Sequence, residues 1–193
     1  MDGRFDAILG PVPVGEPRPA GIPGLALQGP DASGRPAETG ESSFLRAVVQ
    51  RVRAASVEVG GRITGRIGPG LVLLLGIRKG DGDTEIRYLA EKVLDLRIFP
   101  DEKHSMNRSI RETGGEVLLV SQFTLYGDAR KGRRPSFDDA EEPGRARAVY
   151  SEFANYMKSR GHEPREGVFG EHMLLTLEND GPVTILLDSE KVL

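Results

Sequence analysis

The chain has 193 residues, with 26 Lys and Arg against 29 Asp and Glu, three His and no Cys. That length suits one domain with a sizeable core, or one domain plus a tail. The lack of Cys excludes a disulfide framework and thiolate chemistry, and the net charge of -3 argues against a general nucleic-acid binder. No apolar run approaches bilayer length, and the start lacks the basic-then-apolar layout of a secretory signal. His104, His162 and His172 have no metal-ligand spacing. A soluble, cytoplasmic protein without a His-based zinc site is expected.

Residues 1–44 differ in kind from the rest. They carry Pro11, Pro13, Pro17, Pro19, Pro23, Pro30 and Pro36 among many Gly, with no sustained period. Such a composition buries too little apolar surface to offset the entropy of ordering. This segment reads as a disordered extension or a misassigned start, and its removal is expected to leave stability and activity unchanged. It holds the whole net negative charge, which leaves residues 45–193 neutral. A neutral domain can still bind RNA through a local basic patch.

Periodic sequence begins at Leu45. Arg46–Val52 and Ala55–Val59 read as strand, then Gly60-Gly61 as a turn, and Arg62–Ile67 continues to the breaker Gly68-Pro69-Gly70. Leu71–Ile77 is a continuous apolar run of strand length, as in a strand buried on both faces. Asp81-Gly82-Asp83-Thr84 offers N-cap chemistry to a helix carrying Ile86, Leu89, Ala90, Val93, Leu94 and Leu96. Arg97-Ile98-Phe99 returns to strand and His104–Asn107 is a polar loop. Glu116–Val120 is a strand that delivers Ser121-Gln122-Phe123 at its end. Pro143–Arg160 is a second amphipathic helix, through Ala146, Val149, Tyr150, Phe153 and Met157, and Gly161 stops it. The runs Met173–Leu177 and Val183–Leu187 read as a closing hairpin. Two main helices among about seven strands predict an α+β domain with a mostly antiparallel, barrel-like sheet.

Three segments carry chemistry. Ser121-Gln122-Phe123-Thr124 lies where a strand becomes a loop, so amides released from the ladder can face a developing oxyanion. Composition alone favours a plain strand end whose hydroxyls bond local backbone. Asp128–Ser136 places Arg130, Lys131, Arg133 and Arg134 around a Gly, a set that suits phosphates and equally suits a solvated loop. Asp138, Asp139, Glu141 and Glu142 read as the acidic approach to the second helix. Asn179-Asp180-Gly181-Pro182-Val183-Thr184 spends a ladder donor at Pro182 and uses a Gly beside it. X-Pro is also the linkage at which a cis peptide is cheap. No G-x-S-x-G elbow and no spaced His supplies a triad, and His162 and His172 read as surface or packing residues.

Together these segments resemble the D-aminoacyl-tRNA deacylase family over residues 45–193. The resemblance rests on Arg46–Val52, on Ser121–Tyr126 with Lys131–Phe137 after it, and on Asn179-x-Gly181-Pro182-x-Thr184. It implies a homodimeric hydrolase, without cofactor or metal, that cleaves the ester joining a D-amino acid to the terminal ribose of tRNA. It implies no membrane or DNA partner. A cis Gly181–Pro182 peptide of each subunit would enter the partner's site and exclude an L side chain with its carbonyls, so that glycine passes. Arg51 would buttress that loop, with Asn179 and Thr184 supporting it. Ser121, Gln122, Phe123 and Thr124 would line the ester site, and Met173 the adenosine pocket. Leu45 stands where the family commonly begins with Met.

Thr124 is a candidate nucleophile under the resemblance, but a bare Thr needs an adjacent base. Attack assisted by the ribose 2′-hydroxyl is favoured, since the ester is reactive and positioning supplies much of the rate. Two rivals remain open at this level: a non-enzymatic RNA-binding dimer on the same scaffold, and an esterase for small metabolites that uses Thr124.

Overall fold

A computed structural model of the chain describes residues 44–191. Nearly all of the extension expected over residues 1–44 lies outside the described residues. Its last residue, Phe44, does not fit that expectation: it is buried, with the Arg78 guanidinium 4.1 Å from its ring centre. The Tyr126 hydroxyl also donates to the Phe44 carbonyl. The ordered domain therefore starts no later than Phe44.

Six strands form one sheet: β1 (Arg46–Val59), β2 (Arg62–Ile67), β3 (Gly70–Gly76), β4 (Glu116–Ser121), β5 (Arg165–Glu166) and β6 (Leu174–Asp188). The helices are α1 (Asp83–Asp95), the short α2 (Ile110–Thr113) and α3 (Pro143–Ser159), with a 3-10 turn over Phe123–Tyr126. β1 is the organiser. One of its edges pairs with β6 along almost the whole length; the other pairs first with β3 and then with β2, all antiparallel. β4 and β5 add in parallel beyond β3. β2 then comes back against β4 and β5, with Gly65 packed on the Glu166 backbone, so the sheet nearly closes into a barrel. The α+β, barrel-like reading is the architecture observed.

The apolar run of β3 has the expected cause. Leu71, Leu73 and Leu75 face the layer of helices, whereas Val72 faces the barrel interior with Val52, Val57, Leu118 and Val120. Burial on both faces removes the need for alternation. α1 presents Ile86, Leu89, Ala90, Val93 and Leu94 to the same layer as Val149, Phe153 and Met157 of α3, at i, i+3, i+4 spacing. Arg111 of α2 joins the layer from outside, pairing with Glu91 at 2.6 Å and Asp95 at 2.8 Å, while Arg160 reaches Glu91 at 2.6 Å.

Three local expectations need correction. Arg97–Phe99 contributes only an isolated bridge between Phe99 and Arg108, because Asp101 and Asn107 fold the following loop back on it. Asp81 does not cap α1. Gly82 is the N-cap, its N–H bonded by the Glu85 carboxylate at 3.0 Å, and Asp81 instead closes the preceding turn by accepting from Arg78 N at 2.6 Å. The closing hairpin does not exist. Both apolar runs belong to the single strand β6 and pair with β1 in one direction, from Glu58↔Leu174 to Arg46↔Asp188.

Candidate active site

Where the hairpin turn was expected, β6 bulges. Val52 pairs with Asn179 and Gln50 with Thr184, so the four residues Asp180–Val183 stand opposite Arg51 alone. The base of the bulge is closed by the Asn179 side chain, which acts as a peptide group. Its Oδ1 accepts from Val183 N at 2.7 Å and its Nδ2 donates to Val183 O at 3.2 Å. Thr184 Oγ1 accepts from Gln50 Nε2 at 3.3 Å, which ties the end of the bulge to β1. The apex is Gly181–Pro182, both residues exposed and joined by a cis peptide bond. Gly181 has φ +132, and a Cβ there would stand 2.7 Å from Val183 Cγ2 and 3.1 Å from Arg51 Nη2. Both the backbone angle and the space require glycine.

Arg51 is a buried guanidinium with its donors spread over three segments. Nε donates to Asp180 O at 3.1 Å, and Nη1 donates to Ile98 O and to Ser105 O at 3.3 Å. Carbonyl acceptors and the Asp180 carboxylate, 3.2 Å from Nε, make its burial tolerable. The residue thus locks the bulge to the loop that follows α1. Arg51, Asn179, Gly181, Pro182 and Thr184, all named from the sequence, come together here.

The second group sits at the C-terminal ends of β3 and β4. Ser121, Gln122 and Phe123 line a cavity of ≈ 600 Å³ with Phe137, His172 and Met173 among its other walls. Gln122 N donates to Leu75 O at 2.8 Å, the last ladder bond. The chain then turns into the 3-10 segment, whose first N–H groups, those of Phe123 and Thr124, have no acceptor within the turn. Thr124, expected to line the ester site with the other three, is not among the residues lining the cavity. Thr124 is exposed, and its hydroxyl accepts from Gln122 Nε2. An amide nitrogen offers only donors and cannot take a proton. Among the described residues no carboxylate or imidazole is hydrogen-bonded to Thr124.

Sequence reasoning passed over three features of the cavity. His172, read as a surface residue, stands on the wall together with Glu171. Phe137 meets Phe123 edge to face, ring centres 5.0 Å apart. Ala140, Glu141 and Glu142 form a further wall, held by Glu141 N to Ile77 O at 3.0 Å and Lys79 N to Asp139 O at 3.2 Å. Only the place of Phe137 next to the basic loop was a usable signal. Met173, half-buried, spans from the cavity wall to the barrel interior.

The basic loop divides. Arg130 is committed to Asp128 through Nε at 2.9 Å and Nη2 at 2.8 Å, and these bonds hold the Asp128 carboxyl down at about 2. Lys131, Arg133 and Arg134 are exposed and, among the described residues, unpaired. Three of the four proposed phosphate contacts are therefore available. Gly181 and Pro182 are not among the residues lining the cavity of their own chain.

Comparison with known proteins agrees in one direction. Residues 48–188 match the family model described as D-Tyr-tRNA(Tyr) deacylase. The D-aminoacyl-tRNA deacylase of Syntrophomonas wolfei subsp. wolfei is 58% identical over 148 residues, 77% of this chain and 99% of that protein. The protein of the same description from Symbiobacterium thermophilum is 56% identical, over 77% of this chain and 98% of its own length. Among solved structures, a c-Myc DNA unwinding element binding protein superposes with a TM-score of 0.70 at 40% identity, over 74% of this chain and 97% of its own. A probable eukaryotic D-amino acid tRNA deacylase superposes at 0.64 with 20% identity, over 75% of this chain and 99% of its own, and so shares the fold.

Proposed function

The chain belongs to the D-Tyr-tRNA(Tyr) deacylase family, and from that membership we infer that it hydrolyses the ester joining a D-amino acid to the 3′ end of tRNA. The observation that carries the reading to this chain is the cavity at the end of β4. Its strand end offers backbone N–H groups and a stacking face but, among the described residues, no nucleophile hydrogen-bonded to a base. Such a site suits an ester that is already activated. Water attacks the carbonyl carbon, the oxyanion is met by the amides of Phe123 and Thr124, and the ester C–O bond breaks as the ribose oxygen takes a proton. The neighbouring ribose hydroxyl, carried by the substrate itself, orients that water. Preorganised donors aimed at the oxyanion supply the main rate gain, about a hundredfold or more for each.

Hand selection belongs to the exposed Gly181–Pro182 apex. It lies apart from its own cavity, so the chain acts as a homodimer in which each apex enters the partner's site. Two rigid carbonyls then leave no room for an L side chain, and selection works by exclusion. Glycine, without a side chain, passes. Lys131, Arg133 and Arg134 hold tRNA phosphates, and Met173 borders the terminal adenosine. A role on aminoacyl-tRNA fits the cytoplasm, where charged tRNA is used.

The decisive assay follows D-tyrosyl-tRNA and L-tyrosyl-tRNA in parallel with purified protein. Release of the D ester alone is expected. Release of neither sinks the assignment, and rapid release of both sinks the exclusion filter. DNA belongs in the assay as competitor, since the 40%-identical structure is that of a DNA unwinding element binding protein. Full displacement of tRNA by it would favour the non-enzymatic binding reading.

A further inference from the structure

Asp180 fills the position that the Asn179-x-Gly181-Pro182 pattern leaves unnamed, and its surroundings are specific. Its Oδ2 lies 3.2 Å from Arg51 Nε and its Oδ1 lies 3.4 Å from Arg53 Nε. Its carbonyl also accepts from Arg51 Nε at 3.1 Å. Both guanidiniums reach the one carboxylate, Arg51 at Oδ2 and Arg53 at Oδ1, so it fits between them. The two guanidiniums differ. Arg51 is 10% exposed and engages three segments, whereas Arg53 is 76% exposed and, among the described residues, engages Asp180 alone.

The bulge itself has few other constraints ahead of its apex. Asn179 closes its base through Val183, behind Pro182. Between the Val52↔Asn179 pair and Gly181, the hydrogen bonds and ion pairs among the described residues are those of Asp180, and at Gly181 the backbone sits at φ +132, where a small rotation re-aims the following carbonyls. We propose that Asp180, clamped between Arg51 and Arg53, is a positioning residue that sets the aim of the Gly181–Pro182 carbonyls and thereby the discrimination between D and L substrates.

The proposal rests on the reading of Gly181–Pro182 as the filter. An exposed arm of the clamp has a consequence that a packing contact lacks. Its strength depends on ionic strength, because the Arg53–Asp180 attraction is screened by salt. Selectivity of the wild-type protein should therefore loosen as salt rises, beyond the uniform weakening of tRNA binding.

The test compares Asp180→Asn, Arg53→Gln and Gly181→Ala with the wild type. The readout is the ratio of kcat/KM for L-tyrosyl-tRNA to that for D-tyrosyl-tRNA, at low and high salt, with Tm alongside. Asp180→Asn keeps size and acceptor and removes the charge; the ratio is expected to rise about tenfold, the equivalent of one lost charge-assisted bond. Arg53→Gln, on an exposed side chain, is expected to raise it about threefold, in the range of an exposed ion pair, and to abolish its salt dependence. A role confined to folding would lower both activities and Tm together and leave the ratio unmoved, which overturns the proposal. If Gly181→Ala changes the ratio and the two clamp variants do not, the clamp is refuted and the filter survives. If Gly181→Ala leaves the ratio unchanged, the filter reading itself falls, and the clamp with it.

Discussion

Replacing Asp81 with Asn should make the domain more stable at neutral pH and leave it almost unchanged in acid. Asp81 is 1% exposed beneath the turn that precedes α1, and burial raises its pKa from 3.8 to about 7. Glu85 and Glu141 face it and push in the same direction, while the Arg78 N–H and guanidinium oppose them. One oxygen accepts from Arg78 N at 2.6 Å, and the other has no hydrogen-bond partner. The folded pKa lies above the unfolded one. The stability is therefore fully present below about pH 4 and is lost as pH rises through about 7. A shift of about three units corresponds to roughly 4 kcal/mol at most. Asn keeps the acceptor for Arg78 and cannot ionise. Urea unfolding of both proteins from about pH 3 to 8 should show a difference near zero at the acid end that grows to about 2–4 kcal/mol, a Tm gain on the order of 5–10 °C. A difference that stays flat across that range would refute the reasoning. So would a variant that is less stable at pH 8. The same turn holds the cavity wall through Lys79 N to Asp139 O and Lys79 Nζ to Asp138 O, so KM is expected to follow stability in pH.

Three further outcomes are expected. Thr124→Ala should keep deacylation of D-tyrosyl-tRNA within about tenfold of wild type, since the hydroxyl has no base to activate it; a folded, tRNA-binding but inactive variant would restore Thr124 as nucleophile. Phe123→Pro removes one amide at a position where proline fits a helical start, so its kcat should fall about a hundredfold below that of Phe123→Ala, which shares the lost ring. Equal rates for the two would show that this amide does not meet the oxyanion. A chain starting at Leu45 should unfold with about 2–3 kcal/mol less stability than one starting at Phe44, the value of a buried aromatic. Equal urea midpoints would show that the Arg78–Phe44 stack contributes nothing.

Much of this arrangement was legible in the chain. The alternation of β1, the unbroken run of β3 and the helical spacing of α1 and α3 each report a local period, and local period follows from which face must leave water. α2 was legible too, though it was missed: Ser109-x-x-Glu112 is a capping box, and both of its bonds form. The strand end at Ser121–Thr124 and the oddity of Gly181-Pro182 were also visible as residue types. The hairpin reading failed because two apolar runs around Gly-Pro look alike whether they pair with each other or with a third strand. Only β1, more than a hundred residues earlier, decides between them. Asp180 was passed over for the same reason, since nothing near it in sequence announces Arg51 and Arg53.

By itself, the sequence determined the elements, the family pattern and the residue types able to do the chemistry, because propensity, periodicity and turn geometry act over a few neighbouring residues. The tertiary structure alone decided that β6 is one strand with a bulge, that Arg51 ties three distant segments together, and that Phe44 belongs to the domain. It also left Gly181 and Pro182 off the lining of the cavity of their own chain. Those outcomes depend on long-range pairing and on where a charge can be buried with partners, and such energies exist only once the segments meet.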